Sequence, residues 1–146
     1  MNDQAIILLV EDSASDEELT IRALKRANVR NPIVVMRDGA AAVDYLFARG
    51  AYSDRSSDEE IQVVLLDLNL PKLSGLDVLR AIRSNEKTRV LPVVVLTSSH
   101  EDRDVVESYD RGANSYIVKP VDFVQFAEAV RQLGLYWLLL NQRPRR

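Results

Sequence analysis

Short runs of almost uninterrupted apolar residues alternate with amphipathic segments along the chain. Apolar runs of this length are typical of strands buried on both faces, as in parallel sheets. The pattern predicts strands at Ile6–Val10, Ile33–Met36, Val63–Leu66, Val93–Leu96 and Tyr116–Val118, and helices at Asp16–Ala27, Ala40–Arg49, Leu76–Ser84, Arg103–Arg111 and Phe123–Leu140. Repeated strand–helix alternation implies right-handed crossovers, so we expect one α/β domain whose doubly wound sheet carries helices on both faces.

Local signals mark several boundaries of these elements. Ser15 followed by Glu18, and Asp122 followed by Gln125, fit the capping pattern at a helix start. Gly112 stands where a helix should stop. The polar segment Tyr52–Glu60 precedes the third strand, and we interpret it as a solvated loop.

The composition excludes several classes of function. The net charge of −3 gives no indication of nucleic-acid binding, and the absence of cysteine excludes thiolate metal sites and cysteine nucleophiles. Residues 1–5 lack the pattern of a signal peptide, and the apolar stretch Leu133 to Leu140 is too short to span a bilayer. We therefore expect a cytoplasmic protein that binds neither nucleic acid nor membrane.

Charged side chains follow three of the predicted strands. Glu11 and Asp12 come directly after the first strand, Asp67 closes the third, and Lys119 ends the last. Because ligands of open parallel sheets bind outside the carboxyl ends of the strands, these groups should meet at one edge. Clustered carboxylates repel unless a cation is present, and Mg²⁺ is satisfied by few protein oxygens plus water. The sequence therefore predicts a site for a divalent metal and a phosphoryl group.

Each of these residues taken alone also has an ordinary structural explanation. Asp12 could cap the first helix, Asp67 could close a turn, and Lys119 could be an exposed turn lysine. Thr97 could end its strand with a turn hydroxyl, and Tyr116 could be a core residue. The carboxylates together, each directly after a buried strand, favour the site.

The residues Glu11-Asp12, Asp67 with Leu70-Pro71 and Gly75, Thr97 and Lys119-Pro120 together resemble the signature of response-regulator receiver domains. This resemblance covers nearly the whole chain. It implies a five-stranded parallel sheet in the order 2-1-3-4-5 with five helices. It also implies that Asp67 accepts a phosphoryl group from a sensor histidine kinase, with Mg²⁺ as cofactor.

The resemblance further implies a role for each site residue. Asp12, Asp67 and the backbone carbonyl of Asn69 would hold the metal. Glu11, which stands where most receivers carry aspartate, would contact the metal through water or directly. The implied phosphoryl-binding residues are Lys119 and Thr97, the switch pair is Thr97 with Tyr116, and Pro120 would follow a cis peptide bond.

The polar insert and the ending Tyr136-Trp137-Leu138-Leu139-Leu140 are similar to the stand-alone regulators of phytochrome kinases. We therefore expect one receiver domain over residues 1–146 that signals through a changed surface or onward phosphotransfer. It would not be an enzyme beyond self-phosphorylation and autodephosphorylation. The alternative is a Mg²⁺-dependent phosphohydrolase, which usually needs a second acid where this chain has Asn69. A binding-only pseudo-receiver is a third possibility, disfavoured by the intact acids and Lys119.

The end of the chain predicts self-association. A C-terminal extension at about 133–146 continues the last helix, and apolar residues surround it from Leu133 to Leu140. One sheet face cannot cover them all, so we expect a two-fold homodimer. Tyr136, Trp137 and Leu139 would form its interface against the partner copy or the predicted helix Arg103–Arg111. The alternative is that the helix stops at Gly134 and the remainder folds back on its own domain.

Overall fold

A computed structural model describes residues 5–55, 60–98, 107 and 110–132. Its strands are β1 (Ile6–Val10), β2 (Ile33–Met36), β3 (Ile61–Asp67), β4 (Val93–Thr97) and β5 (Ser115–Val118). The helices within the described residues are α1 (Ala14–Arg26), α2 (Gly39–Leu46), α3 (Gly75–Arg83) and α4 (Phe123–Gln132), with a 3-10 turn at Gly50–Tyr52. Four of the five predicted helices are therefore described, and the predicted helix Arg103–Arg111 lies almost entirely outside the described residues.

The five strands form one parallel sheet in the order β2-β1-β3-β4-β5, which confirms the predicted topology. The order reverses direction beside β1, because the chain first crosses from β1 outward to β2 and then returns to β3. Such a reversal opens a crevice at the carboxyl ends of β1 and β3. The structure therefore positions a site where Val10 pairs with Leu66.

The two faces of the sheet bury separate apolar clusters. Strand residues alternate between the faces, so neighbours in sequence serve different clusters. One cluster joins the sheet to α2 and α3 and includes Leu8, Val10, Val64, Leu66, Val93, Val95, Leu46, Val78, Leu79 and Ile82. The other joins it to α1 and α4 and includes Ile7, Leu9, Val63, Leu65, Val94, Leu96, Leu24, Phe126 and Ala129. Burial on both faces explains the uninterrupted apolar runs of the central strands.

The first helix starts earlier than the sequence predicted. Ser13 is its N-cap, and the Ser13 hydroxyl accepts a hydrogen bond from the Asp16 N–H at 3.3 Å, so the prediction of a Ser15 cap is wrong. Both serines are followed three residues later by an acid, and the local pattern could not choose between them. At the start of α4 the predicted cap is present, because Asp122 accepts from the Gln125 N–H at 2.8 Å.

The polar insert is not wholly a solvated loop. Its first residue, Tyr52, belongs to the 3-10 turn and packs edge-on against Tyr45 of α2, with ring centroids 5.4 Å apart. The guanidinium of Arg55 also lies over the Tyr45 ring, 4.5 Å from the ring centroid. The turn residues before the third strand are thus attached to α2 by aromatic contacts.

Two glycines allow close backbone contacts around the β3–α3 loop. A Cβ at Gly75 would lie 2.2 Å from the Asp67 carbonyl oxygen, and one at Gly39 would lie 2.1 Å from the Leu73 carbonyl oxygen. The Gly75 N–H also donates to the Leu68 carbonyl at 2.9 Å, which closes the loop. The backbone after β3 is therefore held by contacts that only glycine permits.

Candidate functional site

The acids and the lysine meet at the carboxyl edge of the sheet. Glu11 follows β1, Asp67 ends β3, and Lys119 follows β5. The side-chain Nζ of Lys119 lies 2.7 Å from Glu11 Oε1 and 3.1 Å from Asp67 Oδ2. These contacts connect residues more than fifty positions apart in sequence, so the sheet topology alone creates them. The structure brings together the predicted acids and the predicted cation.

A third acid, Asp16, also contacts the lysine. Its Oδ2 lies 3.0 Å from Lys119 Nζ. This role of Asp16 is not predicted by the sequence pattern, in which Asp16 marks only the start of a helix. The available signal was its position, because the first turn of the helix that follows β1 lies at the carboxyl edge of the sheet.

Both carboxylate oxygens of Glu11 have partners. Oε1 forms the ion pair with Lys119, while Oε2 accepts a hydrogen bond from the Ser13 N–H at 3.3 Å. Glu11 is fully buried, in contrast to exposed Asp12. The extra methylene of glutamate lets the side chain turn back to the backbone of the β1–α1 loop.

Burial and crowding change the proton affinities at this edge. Loss of hydration on burial, together with neighbouring Asp67, raises the pKa of Glu11 to about 7 despite the Lys119 ammonium. Burial alone would lower the pKa of Lys119, but its contacts with Glu11, Asp16 and Asp67 outweigh this effect and raise it. The lysine is therefore a permanent cation at neutral pH, whereas the buried glutamate lies close to its own titration point.

The arrangement fits a hard divalent cation. Carboxylate oxygens of Glu11, Asp12 and Asp67 all lie within 4.8 Å of one another. Asp16 adds a fourth carboxyl group to this edge, where Lys119 is the cation that contacts Glu11, Asp16 and Asp67. Oxygen ligands and access to water are what Mg²⁺ and Mn²⁺ require, and exposed Asp12 provides that access.

Asn69 lies beside this cluster in the β3–α3 loop. Its N–H donates to Asp67 Oδ1 at 3.2 Å, while Asp67 Oδ2 contacts Lys119. Both oxygens of the Asp67 carboxylate are thus oriented. The Asn69 carbonyl stays a predicted metal ligand.

Thr97 and Tyr116 lie on neighbouring strands. Thr97 pairs with Val118, and Val95 pairs with Tyr116, so Tyr116 is the diagonal neighbour of Thr97. Alternation along β4 places Thr97 on the same face as Val95, and Tyr116 packs against that face's cluster. Thr97 is completely buried, whereas Tyr116 is partly exposed. The positions suit a pair that moves together, although their role in switching stays a prediction.

The turn after β5 carries the lysine into the site. The Lys119 N–H donates to the Thr97 carbonyl at 2.8 Å, and the Lys119-Pro120 peptide bond is cis, the geometry expected for Pro120. The predicted interface residues Tyr136, Trp137 and Leu139 lie outside the described residues.

Two other features bear on function. A cavity of about 640 Å³ lies near Phe47, Arg55 and Thr88, and no acid of the site lines it. Among the described residues no helix combines the length and the apolar character needed to cross a bilayer.

Comparisons with known proteins agree with this geometry. The family model for the response regulator receiver domain matches residues 7–131. The probable methanogenesis regulatory protein FilR2 of Methanothrix harundinacea is 40% identical over 142 residues, covering 97% of this chain and 89% of that protein.

Solved structures show the same likeness. The bacteriophytochrome response regulator RtBRR has a TM-score of 0.85 and 50% identity, covering 97% of this chain and 84% of that one. The Mn²⁺-bound form of response regulator Rcp1 has a TM-score of 0.75 and 34% identity, covering 97% and 99% of the two chains. Rcp1 of Synechocystis sp. is also 37% identical over 137 residues, covering 94% of this chain and 91% of Rcp1. The chain therefore belongs to the response regulator receiver family and is a phosphorylation-dependent signalling switch.

Proposed function

We propose that Asp67 is the phosphoacceptor, that Mg²⁺ is the cofactor, and that a sensor histidine kinase of the phytochrome type is the phosphodonor. The observation that carries this proposal is the environment of Asp67. The residue is 4% exposed, and its carboxylate contacts Lys119 and lies beside Glu11 and Asp12 at a strand end. The kinase assignment is supported by the likeness to the bacteriophytochrome response regulator RtBRR.

In the proposed reaction an Asp67 carboxylate oxygen attacks the phosphorus of a phosphohistidine. A P–O bond forms, the P–N bond breaks, and its electron pair stays on the leaving imidazole. Lys119 supplies a fixed positive charge beside the transferring group, where ammonium acts as a point charge on phosphoryl oxygens. The hydroxyl of Thr97 would donate to another phosphoryl oxygen. The protein residues therefore contribute by positioning the reacting groups and by compensating their charge.

Asp12, Asp67 and the Asn69 carbonyl would hold the cation, with Glu11 contributing through water. Glu11 suits this indirect role because its two oxygens already contact Lys119 and the Ser13 N–H. When bound, a divalent cation neutralises negative charge on the carboxylates and the phosphoryl oxygens.

Phosphorylation would be reported by Thr97 and Tyr116. Movement of the Thr97 hydroxyl toward a phosphoryl oxygen would vacate space on the face that Tyr116 shares. Thr97→Ala should accept the phosphoryl group but transmit a weaker response to its target. A full downstream response from that variant would contradict this mechanism.

The phosphoacceptor is tested by incubation with acetyl phosphate and Mg²⁺, followed by intact-mass measurement. Wild type should gain one phosphoryl group, Asp67→Asn none, and a chelator should abolish the gain. Asp77→Asn is a matched control, because Asp77 is an exposed acid in the first turn of α3. Equal labile phosphorylation of wild type and Asp67→Asn would overturn the assignment.

The same preparation tests whether the chain is also an enzyme. We expect no turnover of phosphomonoesters, because Asn69 cannot protonate a leaving group from the position where phosphohydrolases carry an acid. Multiple turnovers that require Asp67 would instead support the phosphohydrolase alternative.

We also propose a cytoplasmic homodimer whose interface includes Tyr136, Trp137 and Leu139. This rests on the apolar sequence of the C-terminal segment and on the frequency of two-fold assemblies. Sedimentation of wild type and of Trp137→Ala with Leu139→Asp tests it. A wild type that stays monomeric at high concentration, with or without acetyl phosphate, would contradict the dimer.

A further inference from the structure

The polar groups at the first turn of α1 pair differently from those of an ordinary capping box. In an ordinary capping box, the acid three residues after the N-cap reaches back to the N-cap N–H. Here Ser13 is the N-cap and Asp16 occupies that position. The Ser13 N–H, however, already donates to Glu11 Oε2. Glu11 therefore replaces Asp16 in the cap, and the carboxylate of Asp16 reaches Lys119 instead.

The three acids that contact Lys119 differ in depth. The Glu11 side chain is fully buried, that of Asp67 is 5% exposed, and that of Asp16 is 36% exposed. An ammonium has three N–H donors, and three carboxylates lie around it. Asp16 is the contact on the solvent side, so it draws the amine outward against the two deeper acids, which the amine already contacts at 2.7 and 3.1 Å.

A phosphoryl group must reach Asp67 from solvent, because the surrounding strands and helices close the other directions. The amine has to meet it on that same side. We propose that Asp16 is a positioning residue that holds the Lys119 ammonium at the solvent side of Asp67, ready for the incoming phosphoryl group. This proposal rests on the proposed function of Asp67 as phosphoacceptor.

Loss of the Asp16 charge has a defined consequence. The amine would then be held by Glu11 and Asp67 alone, without the contact that draws it toward solvent, and would present its N–H groups less well to the phosphoryl oxygens. The reaction with acetyl phosphate breaks the P–O bond to acetate, which leaves with the electron pair, and forms a P–O bond to Asp67. Charge that develops on the phosphoryl oxygens would then lack its cation, so the chemical step slows rather than the capture of the donor.

The test is the rate of phosphorylation by acetyl phosphate, measured over a range of donor concentrations at saturating Mg²⁺. Asp16→Asn should lower the limiting rate roughly tenfold, the size of one exposed charge-assisted hydrogen bond. The half-saturating donor concentration should change by less than about twofold. Asp16→Glu, which keeps the charge, should recover most of the rate.

Glu17→Gln is the matched control. It removes the same charge one residue along α1, but Glu17 pairs with Arg37 and not with Lys119. This variant should react like wild type. An equal slowing by Asp16→Asn and Glu17→Gln, or an unchanged or faster Asp16→Asn, would overturn the proposal.

A double substitution shows whether Asp16 acts through the lysine. In the Lys119→Met background, Asp16→Asn should cause no further slowing, whereas independent roles would multiply. If Lys119→Met does not fold, the Asp16→Glu result decides alone, and failure of the longer acid to recover the rate counts against positioning. A wild type that takes up no phosphoryl group would overturn the proposed function and this proposal with it. A reactive wild type with an unaffected Asp16→Asn overturns this proposal only.

Discussion

Replacing Glu11 by glutamine should change how the stability of the metal-free protein depends on pH. Burial raises the pKa of Glu11 from 4.5 to about 7, so between these values the folded chain holds a proton that the unfolded chain has lost. The contribution of Glu11 to the free energy of unfolding must therefore fall as pH rises through this window and level off above it. A pKa rise of this size corresponds to about 3 kcal/mol of unfolding free energy.

The Glu11→Gln variant has no proton to lose, so its stability should lack this fall. Glutamine does alter the contacts with Lys119 and the Ser13 N–H, but that offset is the same at every pH. Subtracting the two pH profiles therefore isolates the titration of Glu11. As pH rises, the free energy of unfolding of the variant should increase relative to that of wild type. Added Mg²⁺ should make this relative increase smaller, because the cation favours the ionised form of Glu11.

Urea unfolding in the presence of a chelator, at several pH values across and beyond the window, measures this difference. Glu18→Gln is the control, because its side chain is 72% exposed and pairs only with Arg22 in the described contacts. Its profile should run parallel to that of wild type. Parallel profiles for wild type and Glu11→Gln would refute the reasoning, since Glu11 would then titrate alike in both states.

Three further substitutions give sharp expectations. Gly75→Ala would place a Cβ 2.2 Å from the Asp67 carbonyl oxygen, so it should lower the free energy of unfolding by about 2 kcal/mol and slow phosphorylation. Urea unfolding and intact-mass measurement test the two effects, and an unchanged stability and rate would contradict the contact. Arg83→Met removes hydrogen bonds to the Gly112 and Leu91 carbonyls at 2.9 and 2.7 Å, so the free energy of unfolding should fall by about 3 kcal/mol while the phosphorylation rate is unaffected. A loss of stability below about 1 kcal/mol would contradict this expectation. Ser13→Ala removes the α1 cap and should lower the free energy of unfolding, measured with urea, by about 1 kcal/mol, whereas Ser15→Ala should leave it unchanged.

The sequence was a good guide wherever the information is local or periodic. β1 and β2 agree residue for residue with the predicted bounds, because burial on both faces leaves an unmistakable apolar run. β3 was predicted too short, since Ile61 and Gln62 precede its continuous apolar part. The convergence of Glu11, Asp67 and Lys119 also followed from the chain, because parallel strands end at one edge.

Contacts between distant side chains could not be predicted in the same way. Asp16 contacts Lys119 while Glu11 accepts from the Ser13 N–H, and both contacts depend on the path of the chain from β1 into α1. Arg83 is similar, since its partners come from two loops that meet only in the folded sheet. Such choices are made by tertiary packing, and no pattern within a short window encodes them.

The charged side chains of α1 and α3 are distributed unevenly, with acids in the first turn of each helix and bases in the last. α1 begins with Asp16 and Glu17 and ends with Lys25 and Arg26, while α3 has Asp77 in its first turn and Arg80 and Arg83 in its last. In a doubly wound fold these helices run the same way, so their charge separations add, and the carboxylates at the strand ends strengthen the negative pole. A partner that approaches with a positively charged surface is therefore turned toward the phosphoacceptor edge before contact. Encounter rates with such a partner should fall as ionic strength rises, independently of the chemistry that follows.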